Sequence, residues 1–455
     1  MDQQTPPPGC PAHAGGQKTS VPLFGAEFTA DPQRFYSHLR QFGPVAAVEM
    51  APGVQATLVT SYDAALRVLK PPHNFVRDSD QWQAFHDGWV PQDSDALQLM
   101  LKRENALFAD GTEHIRLRQA VKDSLDQVDM FTLGKKVEQF SDYLVDQFCR
   151  DGQVDLIAQF ARKLPLLVFS DLFACTEDTG DRLISSISDL FDGHDAHNAN
   201  ATLVEALFEL VKLRRRERGA DVVSWLIEHE SGLNDQEMVQ QLVLLIGAGS
   251  EPLQNLIAST LWRLLHNPQL RVDEAVNSTL WNDPPIANYA VHYALSDTEV
   301  SGAVLPAGHP IVISFAAANT DPALSNAGAA SGGAHLAWGA GPHTCPAKSW
   351  AHVIYMTGIE RLLTRLPDMK LTLPAGKPQW RQGAFTRALV ELPTQFPPES
   401  PTHTASATLP AAPRPAAPSL PSATDRPSAP APEAAPSQPR SGGLWSNFRR
   451  WLNGQ

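Results

Sequence analysis

A single cysteine stands in a setting that could do chemistry. Cys345 follows two glycines and a histidine in the stretch HLAWGAGPHTCPAK, residues 335–348. This stretch forms a bend between an apolar, strand-like entry (Leu336 to Trp338) and a long apolar helix that begins near Ala347. Three roles suit such a cysteine: a buried structural thiol, a catalytic nucleophile or a metal ligand.

The two glycines before the cysteine favour a ligand. Gly339 and Gly341 cost conformational entropy unless the backbone must turn sharply or something must approach it closely. A structural thiol needs neither condition. A nucleophile needs a base with an orienting partner, and only His343 is near in the sequence. A cysteine that binds the metal of a flat, bulky cofactor needs a loop that wraps the cofactor and presents N–H groups to the sulfur.

The longest predicted helix runs from about Asn234 to Asn267. It opens with a capping-box pattern, Asn234 with Glu237 three residues on, and it stops before Pro268. Apolar residues surround it almost completely, so we expect it to pass through the centre of the domain.

The middle of this helix reads GAGSEPLQ. Pro252 lacks an N–H and its ring clashes with the carbonyl of Ala248, which predicts a kink beside Gly247 and Gly249. Glu251 adds a carboxylate, and burying a carboxylate without a role is costly. A packing notch with a tolerated proline would explain the pattern. A groove that holds a ligand against the helix, with an acid in reach, explains it better.

The other patterns predict a mainly α-helical fold with small β-sheets (α+β) near each end. The pair VAAVEM and VQATLVT, separated by APG, predicts a hairpin. Long helices are predicted for HIRLRQAVKDSLDQV and GKKVEQFSDYLVDQFCR, and short strands for MKLTL and RALVEL.

Composition excludes several classes of protein. The 455 residues are enough for one large core or two domains. The net charge is −13 and there is no long basic cluster, so we expect no nucleic-acid partner. The four cysteines form no CxxC pair, which argues against a zinc knuckle or a disulfide framework. The chain shows neither a signal peptide nor a run of about 20 apolar residues, so a cytoplasmic location is predicted.

The ends of the chain differ from its centre. Residues 1–20 are predicted to be a disordered lead-in, 21–397 the folded domain, and 398–440 a disordered Pro/Ala-rich linker. In residues 441–455 an amphipathic helix is predicted, with apolar residues of 444–452 on one face and Arg449 and Arg450 opposite. This helix could dock on its own domain. The long linker favours instead a tethered peptide for the groove of a partner protein or for an anionic membrane surface.

The stretch WGAGPHTCPA resembles the haem-binding loop of cytochromes P-450, whose usual form is Phe-Gly-x-Gly-x-His/Arg-x-Cys-x-Gly. A tryptophan takes the place of the phenylalanine and an alanine that of the last glycine. Four further stretches follow the order of the family: LFADGTEHIRLRQAV, LLIGAGSEP, the segment from WNDPPI to FAAANTDP, and WRQGAFTRALVELP. The resemblance covers about residues 21–397.

This resemblance implies the P-450 fold, with haem b between the central helix and the cysteine loop. Cys345 would be the proximal thiolate, which pushes electron density onto the iron and favours O–O cleavage. The residues implied in cofactor binding are His114, Arg118, His292, Trp338, Gly339, Gly341, His343 and Cys345. Those implied on the oxygen side are Ala248, Gly249, Glu251 and Pro252.

Three departures from the family pattern are visible. The Glu-x-x-Arg pair is replaced by Ser278 and Trp281, and the oxygen-activating threonine by Pro252. The usual propionate arginine is His292. An ion pair replaced by an aromatic residue need not destabilise the fold. The chain looks most like a subset of actinobacterial cytochromes P-450 in which a tryptophan replaces the arginine of Glu-x-x-Arg. The genes of that subset often lie beside a small GTPase and a sensor kinase.

The resemblance implies a monooxygenase that inserts one oxygen atom into a small lipophilic substrate. Electrons would come from a ferredoxin and its reductase. The pocket is expected around residues 82–89, 184–191 and 287–293. One alternative is a catalytically weak haem sensor of a GTPase-linked signalling system, which the motif losses favour. Another is a peroxide-driven oxygenase, for which only Glu251 offers a carboxylate.

Overall fold

A computed structural model describes residues 20–70, 74–192, 196–325, 333–373, 378–403 and 443–453. The described part is mainly helical. Its α-helices are α1 (Gly25–Ala30), α2 (Pro32–Leu39), α3 (Tyr62–Leu69), α4 (Gln83–His86), α5 (Leu97–Met100), α6 (Gly111–Asp126), α7 (Met130–Asp146), α8 (Lys163–Leu172), α9 (Glu177–Asp192), α10 (Ala196–Arg216), α11 (Val222–Glu228), α12 (Asp235–His266), α13 (Val272–Asn282), α14 (Phe315–Asn319), α15 (Pro322–Ser325), α16 (Lys348–Arg365) and α17 (Leu444–Leu452).

The strands form one larger sheet and two small ones. They are β1 (Val21–Pro22), β2 (Val45–Ala51), β3 (Val54–Val59), β4 (Phe75–Val76), β5 (Gln153–Asp155), β6 (Asn288–Ala294), β7 (Thr298–Val300), β8 (Ala303–Leu305), β9 (Pro310–Ser314), β10 (Lys370–Leu371) and β11 (Pro393–Gln395). The larger sheet has the order β1-β2-β3-β9-β6-β4, and the small sheets are β10-β11-β5 and β7-β8. The mainly α fold with small sheets is as predicted.

The hairpin β2–β3 and the central helix match the sequence prediction. Val45 pairs with Val59 across the antiparallel hairpin. Helix α12 begins after Asn234, whose side chain accepts a hydrogen bond from the Glu237 N–H while the Glu237 carboxylate accepts one from the Asn234 N–H. This reciprocal pair satisfies donors that a helix start leaves open. The helix runs through Pro252 without interruption and lies in the largest apolar core cluster with α7, α8 and α16.

Two local predictions are wrong. Residues Leu336–Trp338 form a short 3-10 helix rather than a strand. The stretch RALVEL contributes only an isolated bridge, between Leu389 and Trp380, and the strand β11 starts at Pro393. Leu336, Leu389 and Leu392 are buried in the core clusters, and such burial requires no strand geometry.

The prediction of a tethered C-terminal helix is also wrong in its geometry. Helix α17 docks on the domain, and Trp445 and Phe448 are 2% and 1% exposed. Phe448 packs against Phe140 and Tyr143 of α7, with ring centroids 4.8 and 5.4 Å apart. A long linker permits docking elsewhere, but it also allows this intramolecular contact at high effective concentration.

The first turn of α17 is held by helix α9. The Asp181 carboxylate accepts hydrogen bonds from the Trp445 N–H at 2.7 Å, and from the Ser446 hydroxyl at 2.6 Å. A carboxylate at this position accepts hydrogen bonds from the open N–H groups of the first turn and interacts favourably with the helix dipole. Gly180 makes room for the indole, since a Cβ there would lie 2.3 Å from Trp445 Cδ1. The docking site is therefore built from several elements.

The predicted boundary of the linker shifts toward the C-terminus. Residues 398–403 are described, and the N–H groups of Thr402 and His403 donate hydrogen bonds to the Asp146 carboxylate at 2.9 and 3.1 Å. The lead-in at residues 1–19 and the linker at 404–440 lie outside the described residues. Within the described part of the chain, no helix is long and apolar enough to cross a membrane.

Candidate functional site

A largely apolar cavity separates the middle of helix α12 from the cysteine loop. Helices α6, α8, α13 and α16 and strand β6 also contribute to its walls. Of the residues singled out from the sequence, those that line it are Arg118, Ala248, Gly249, Pro252, Trp338, Gly339, His343 and Cys345. The two stretches that the sequence marked as chemical, more than 80 positions apart, therefore meet at one site.

The cysteine loop needs its two glycines for different reasons. Gly339 and Gly341 have φ of +71° and +70°, a region that other residues rarely adopt. A Cβ on Gly341 would in addition lie 2.0 Å from the carbonyl oxygen of Leu69, at the end of α3. Because α3 packs this closely on the loop, the position of the loop is fixed by α3 as well as by its own turns.

The sulfur of Cys345 lies in a protected polar setting. The Cys345 N–H donates a hydrogen bond to the Trp338 carbonyl at 2.8 Å, which closes the loop. Burial raises the pKa of the Cys345 thiol, while the N–H of Ala347 and the nearby Arg118 guanidinium act in the opposite direction. Arg118 also donates a hydrogen bond to the Thr344 carbonyl. An N–H donor and a cation at the sulfur are what a thiolate ligand requires.

Cationic and imidazole groups gather on one side of the cavity. The rings of His114 and His343 lie 4.0 Å apart between centroids. Burial, with the nearby Arg77, His114, His292 and Arg118 acting in the same direction, lowers the pKa of His343 to about 2. His114 and His292 are 5% and 4% exposed and stand behind the cavity wall. This cluster offers positive charge and N–H donors to an anionic part of a ligand.

The α12 residues divide between the cavity and other contacts. Ala248, Gly249 and Pro252 line the cavity. Gly249 also has a packing role, because a Cβ there would lie 2.3 Å from Cζ of Phe169. Glu251 points elsewhere and forms an ion pair with Arg381 of the C-terminal segment. Glu251 is not among the residues that line the cavity, and its carboxylate is paired with Arg381, so its role as an acid in reach of a ligand stays a prediction.

The segment that lacks the Glu-x-x-Arg pair is held by other contacts. Trp281 is buried and meets the His335 ring edge-to-face at 5.7 Å. Two residues later, the Asp283 carboxylate pairs with Arg263 of α12 and with Arg387 at 3.4 Å. An aromatic contact and a displaced ion pair thus join α13 to the segment that leads into the cysteine loop and to the closing segment.

Comparison with known proteins agrees with this geometry. No family model matches the chain. Cytochrome P450 107B1 of Saccharopolyspora erythraea is 28% identical over 414 residues, which cover 84% of this chain and 98% of that protein. Cytochrome P450 monooxygenase PikC of Streptomyces venezuelae is 29% identical over 398 residues, covering 82% and 92%. The solved structure of CYP154C4 from Streptomyces sp. W2061 superposes with a TM-score of 0.74 at 27% identity, covering 83% and 97%.

The chain belongs to the cytochrome P450 superfamily. The cofactor of this family is haem b, and the residues present fit it. Cys345 would provide a thiolate to the iron, and apolar side chains of α12 and α16 would provide walls for a porphyrin. Arg77, Arg118 and His343 line the same cavity and suit the two propionates. The closer likeness to the actinobacterial subset stays a prediction.

Sequence reasoning missed one charged residue of this P450 site. Arg77 follows strand β4, lines the cavity and is 4% exposed. No motif marks it, because its place in the site depends on the pairing of β4 with β6. The expected substrate stretches were largely misplaced: Tyr289 and Ala290 line the cavity, whereas Trp82 belongs to the core beneath the larger sheet.

Proposed function

We propose that this P450 is a monooxygenase that inserts one oxygen atom into a small lipophilic substrate. The observation that carries the proposal is the single cavity that Cys345 shares with Ala248, Gly249 and Pro252 of α12. Bound haem with a thiolate ligand supplies reductive activation of dioxygen, one atom going to the substrate and the other to water, with two electrons and two protons.

The residues of the chain have separate tasks in this reaction. Cys345 binds the iron as a thiolate, and the Ala347 N–H stabilises the negative charge on its sulfur. On the opposite wall, Ala248 and Gly249 carry little or no side chain and leave room beside the helix. The apolar residues around them, such as Leu244 and Leu245, exclude water and bind lipophilic substrates.

The supply of protons must differ from that of family members in which an acid and a threonine hydroxyl on the central helix deliver them. Pro252 has no hydroxyl, and the Glu251 carboxylate is paired with Arg381. Protons must therefore reach the cavity through ordered water or through a hydroxyl of the substrate itself. We expect this to make oxygen use dependent on the substrate, with poor coupling for substrates that carry no hydroxyl.

Electrons would come from a ferredoxin and its reductase. Contact with a membrane or a signalling protein through residues 444–452 is a weaker proposal. Trp445 and Phe448 are covered by the domain, so such a contact has only the exposed face with Arg449 and Arg450 unless the helix is released. The sensor alternative finds no support in the comparisons, because the relatives are monooxygenases and hydroxylases.

Two measurements test the proposal in order. The first is the absorption spectrum of the reduced, carbon monoxide-bound protein, which should show thiolate-ligated haem. Cys345→Ser should abolish this spectrum, whereas Cys149→Ala, at a buried cysteine outside the cavity, should retain it. A wild-type spectrum from Cys345→Ser would refute the assigned ligand.

The second measurement is turnover. The purified protein is mixed with a ferredoxin, ferredoxin reductase, NAD(P)H and a panel of lipophilic compounds, with and without hydroxyl groups. Hydroxylated product that depends on all electron-transfer components is expected. Tight haem binding without product from any compound would refute the monooxygenase and favour a sensor.

A further inference from the structure

Arg77 carries a buried charge that the described protein does not pair. Its side chain is almost fully buried, and no hydrogen bond or ion pair of its guanidinium is formed with the described residues. The nearest carboxylate, Asp110, accepts a hydrogen bond from the backbone N–H of Arg77 at 2.7 Å. A buried guanidinium without such bonds is costly, so this arrangement calls for an anion. Burial accordingly lowers the pKa of Arg77.

Extending the register of the sheet by one residue beyond β4 places Arg77 opposite His292. Strands β4 and β6 are antiparallel, with Phe75 facing Ala294 and Val76 facing Tyr293. The next step along this ladder brings position 77 level with position 292. His292 itself directs Nδ1 to the Ala290 carbonyl at 2.5 Å, within its own strand. The guanidinium of Arg77, just after β4, can therefore reach the region in which an arginine at position 292 would place its own.

The surroundings of Arg77 identify the anion. Arg77 lines the cavity that contains Cys345, together with Arg118 and His343. No aspartate or glutamate lines this cavity among the described residues. Haem b brings two propionate carboxylates, and a guanidinium binds a carboxylate through paired N–H donors.

We propose that Arg77 binds a haem propionate and replaces the arginine that is absent at position 292. The cation would stand just after β4 instead of on β6, while the anion that it binds is the same. Arg77 is a positioning residue: it holds the cofactor in place and takes no part in oxygen chemistry. The proposal rests on haem binding at Cys345 but is independent of turnover.

The test compares Arg77→Gln with the wild type in two states. Haem release to excess apomyoglobin should be about 10- to 100-fold faster in the variant, as expected for one lost charge-assisted hydrogen bond. Without haem, the variant should melt at the same or a higher temperature, because an uncompensated buried charge has been removed. A purely structural arginine would instead lower the melting temperature in both states.

Arg387→Gln is the matched control. Arg387 is a half-buried arginine with protein partners, Asp283 and the Trp380 ring at 3.7 Å. Its loss should lower the melting temperature with and without haem. Haem dimethyl ester, whose propionates carry no charge, should leave wild type and Arg77→Gln at equal rates. The added change His292→Arg should restore slow haem release in the Arg77→Gln background.

Three outcomes overturn the proposal. They are equal haem release by wild type and Arg77→Gln, an equal loss of stability with and without haem, and failure of Arg77→Gln to fold without haem. The variant Arg77→Lys keeps the charge but not the paired donors, and it should release haem at an intermediate rate. Because haem release is measured without turnover, failure here leaves the monooxygenase assay unaffected.

Discussion

Replacing Trp445 by alanine should release helix α17 from the domain. The indole of Trp445 fills the notch above Gly180 and donates a hydrogen bond to the Cys175 carbonyl at 3.3 Å. Alanine leaves this notch empty and removes the donor. Three hydrogen bonds to Asp181 and the packing of Phe448 on α7 would remain, but hydrogen bonds near the surface are worth only about 0.5–1.5 kcal/mol each.

The size of the effect follows from burial. Truncating a buried tryptophan to alanine costs about 3–5 kcal/mol. Since every 1.4 kcal/mol is a factor of ten, the undocked population of α17 should rise by about two to three and a half orders of magnitude. The undocked fraction of α17 cannot exceed one, so the effect levels off once the helix is mostly free. The rest of the domain keeps its core and its haem.

Limited proteolysis measures this population. Arg449 and Arg450 lie on the exposed face of α17, and trypsin needs an unfolded segment around them. When docking is fast relative to cleavage, the cleavage rate follows the open population. Trypsin should cut after these arginines about 100-fold faster or more in Trp445→Ala. Mass spectrometry of the lost C-terminal peptide identifies the cut, and the haem spectrum confirms that the domain is intact.

Leu452→Ala provides the control within the same helix. Leu452 is 39% exposed, so its truncation should change the cleavage rate by only a few-fold. Equal cleavage of Trp445→Ala and wild type would refute the docking of α17. Loss of the haem spectrum in Trp445→Ala would refute the independence of helix release from the haem site.

Three further predictions concern the haem site. Gly341→Ala should prevent stable haem incorporation, because position 341 has a positive φ and a close backbone contact. Gly134→Ala, at a helical glycine with ordinary space around it, should not. The haem content per protein measures both effects. Trp281→Ala should lower the free energy of unfolding in urea by about 3–5 kcal/mol, and Trp281→Phe by less. A loss below about 1 kcal/mol for Trp281→Ala would refute the idea that Trp281 takes over the structural role of the ion pair. Pro252→Thr should increase the product formed per NAD(P)H consumed, since it places a hydroxyl on the cavity wall, and unchanged coupling would refute the account of proton supply.

The parts of the site that the sequence predicts are those encoded by local backbone chemistry. Gly339 and Gly341 are needed by the loop itself, and the cap of α12 at Asn234 is formed within four residues. Such features repeat whenever the local structure repeats, so they appear as motifs. The cavity between them followed from the resemblance, and the structure places Cys345 and Ala248 on its walls.

The parts that the sequence does not predict are contacts between distant segments. Glu251 pairs with Arg381, which is 130 positions away and which no local pattern around the helix indicates. The docking of α17 depends on a notch at Gly180 that has meaning only after Trp445 arrives. Hydrophobic periodicity identified the apolar face of α17, but periodicity does not state which surface covers that face.

The departures from the family pattern illustrate the same limit. At position 292 the motif has lost its arginine, yet the adjacent strand brings Arg77 into the same region. At position 281 the arginine of the ion pair is a tryptophan, and His335 meets it from the segment that leads to the cysteine loop. In both cases a missing motif residue coincides with an unusual buried side chain close by in space. If these pairs are compensations, Arg77→Gln and Trp281→Ala should each impair the protein more than the corresponding changes at positions 292 and 278.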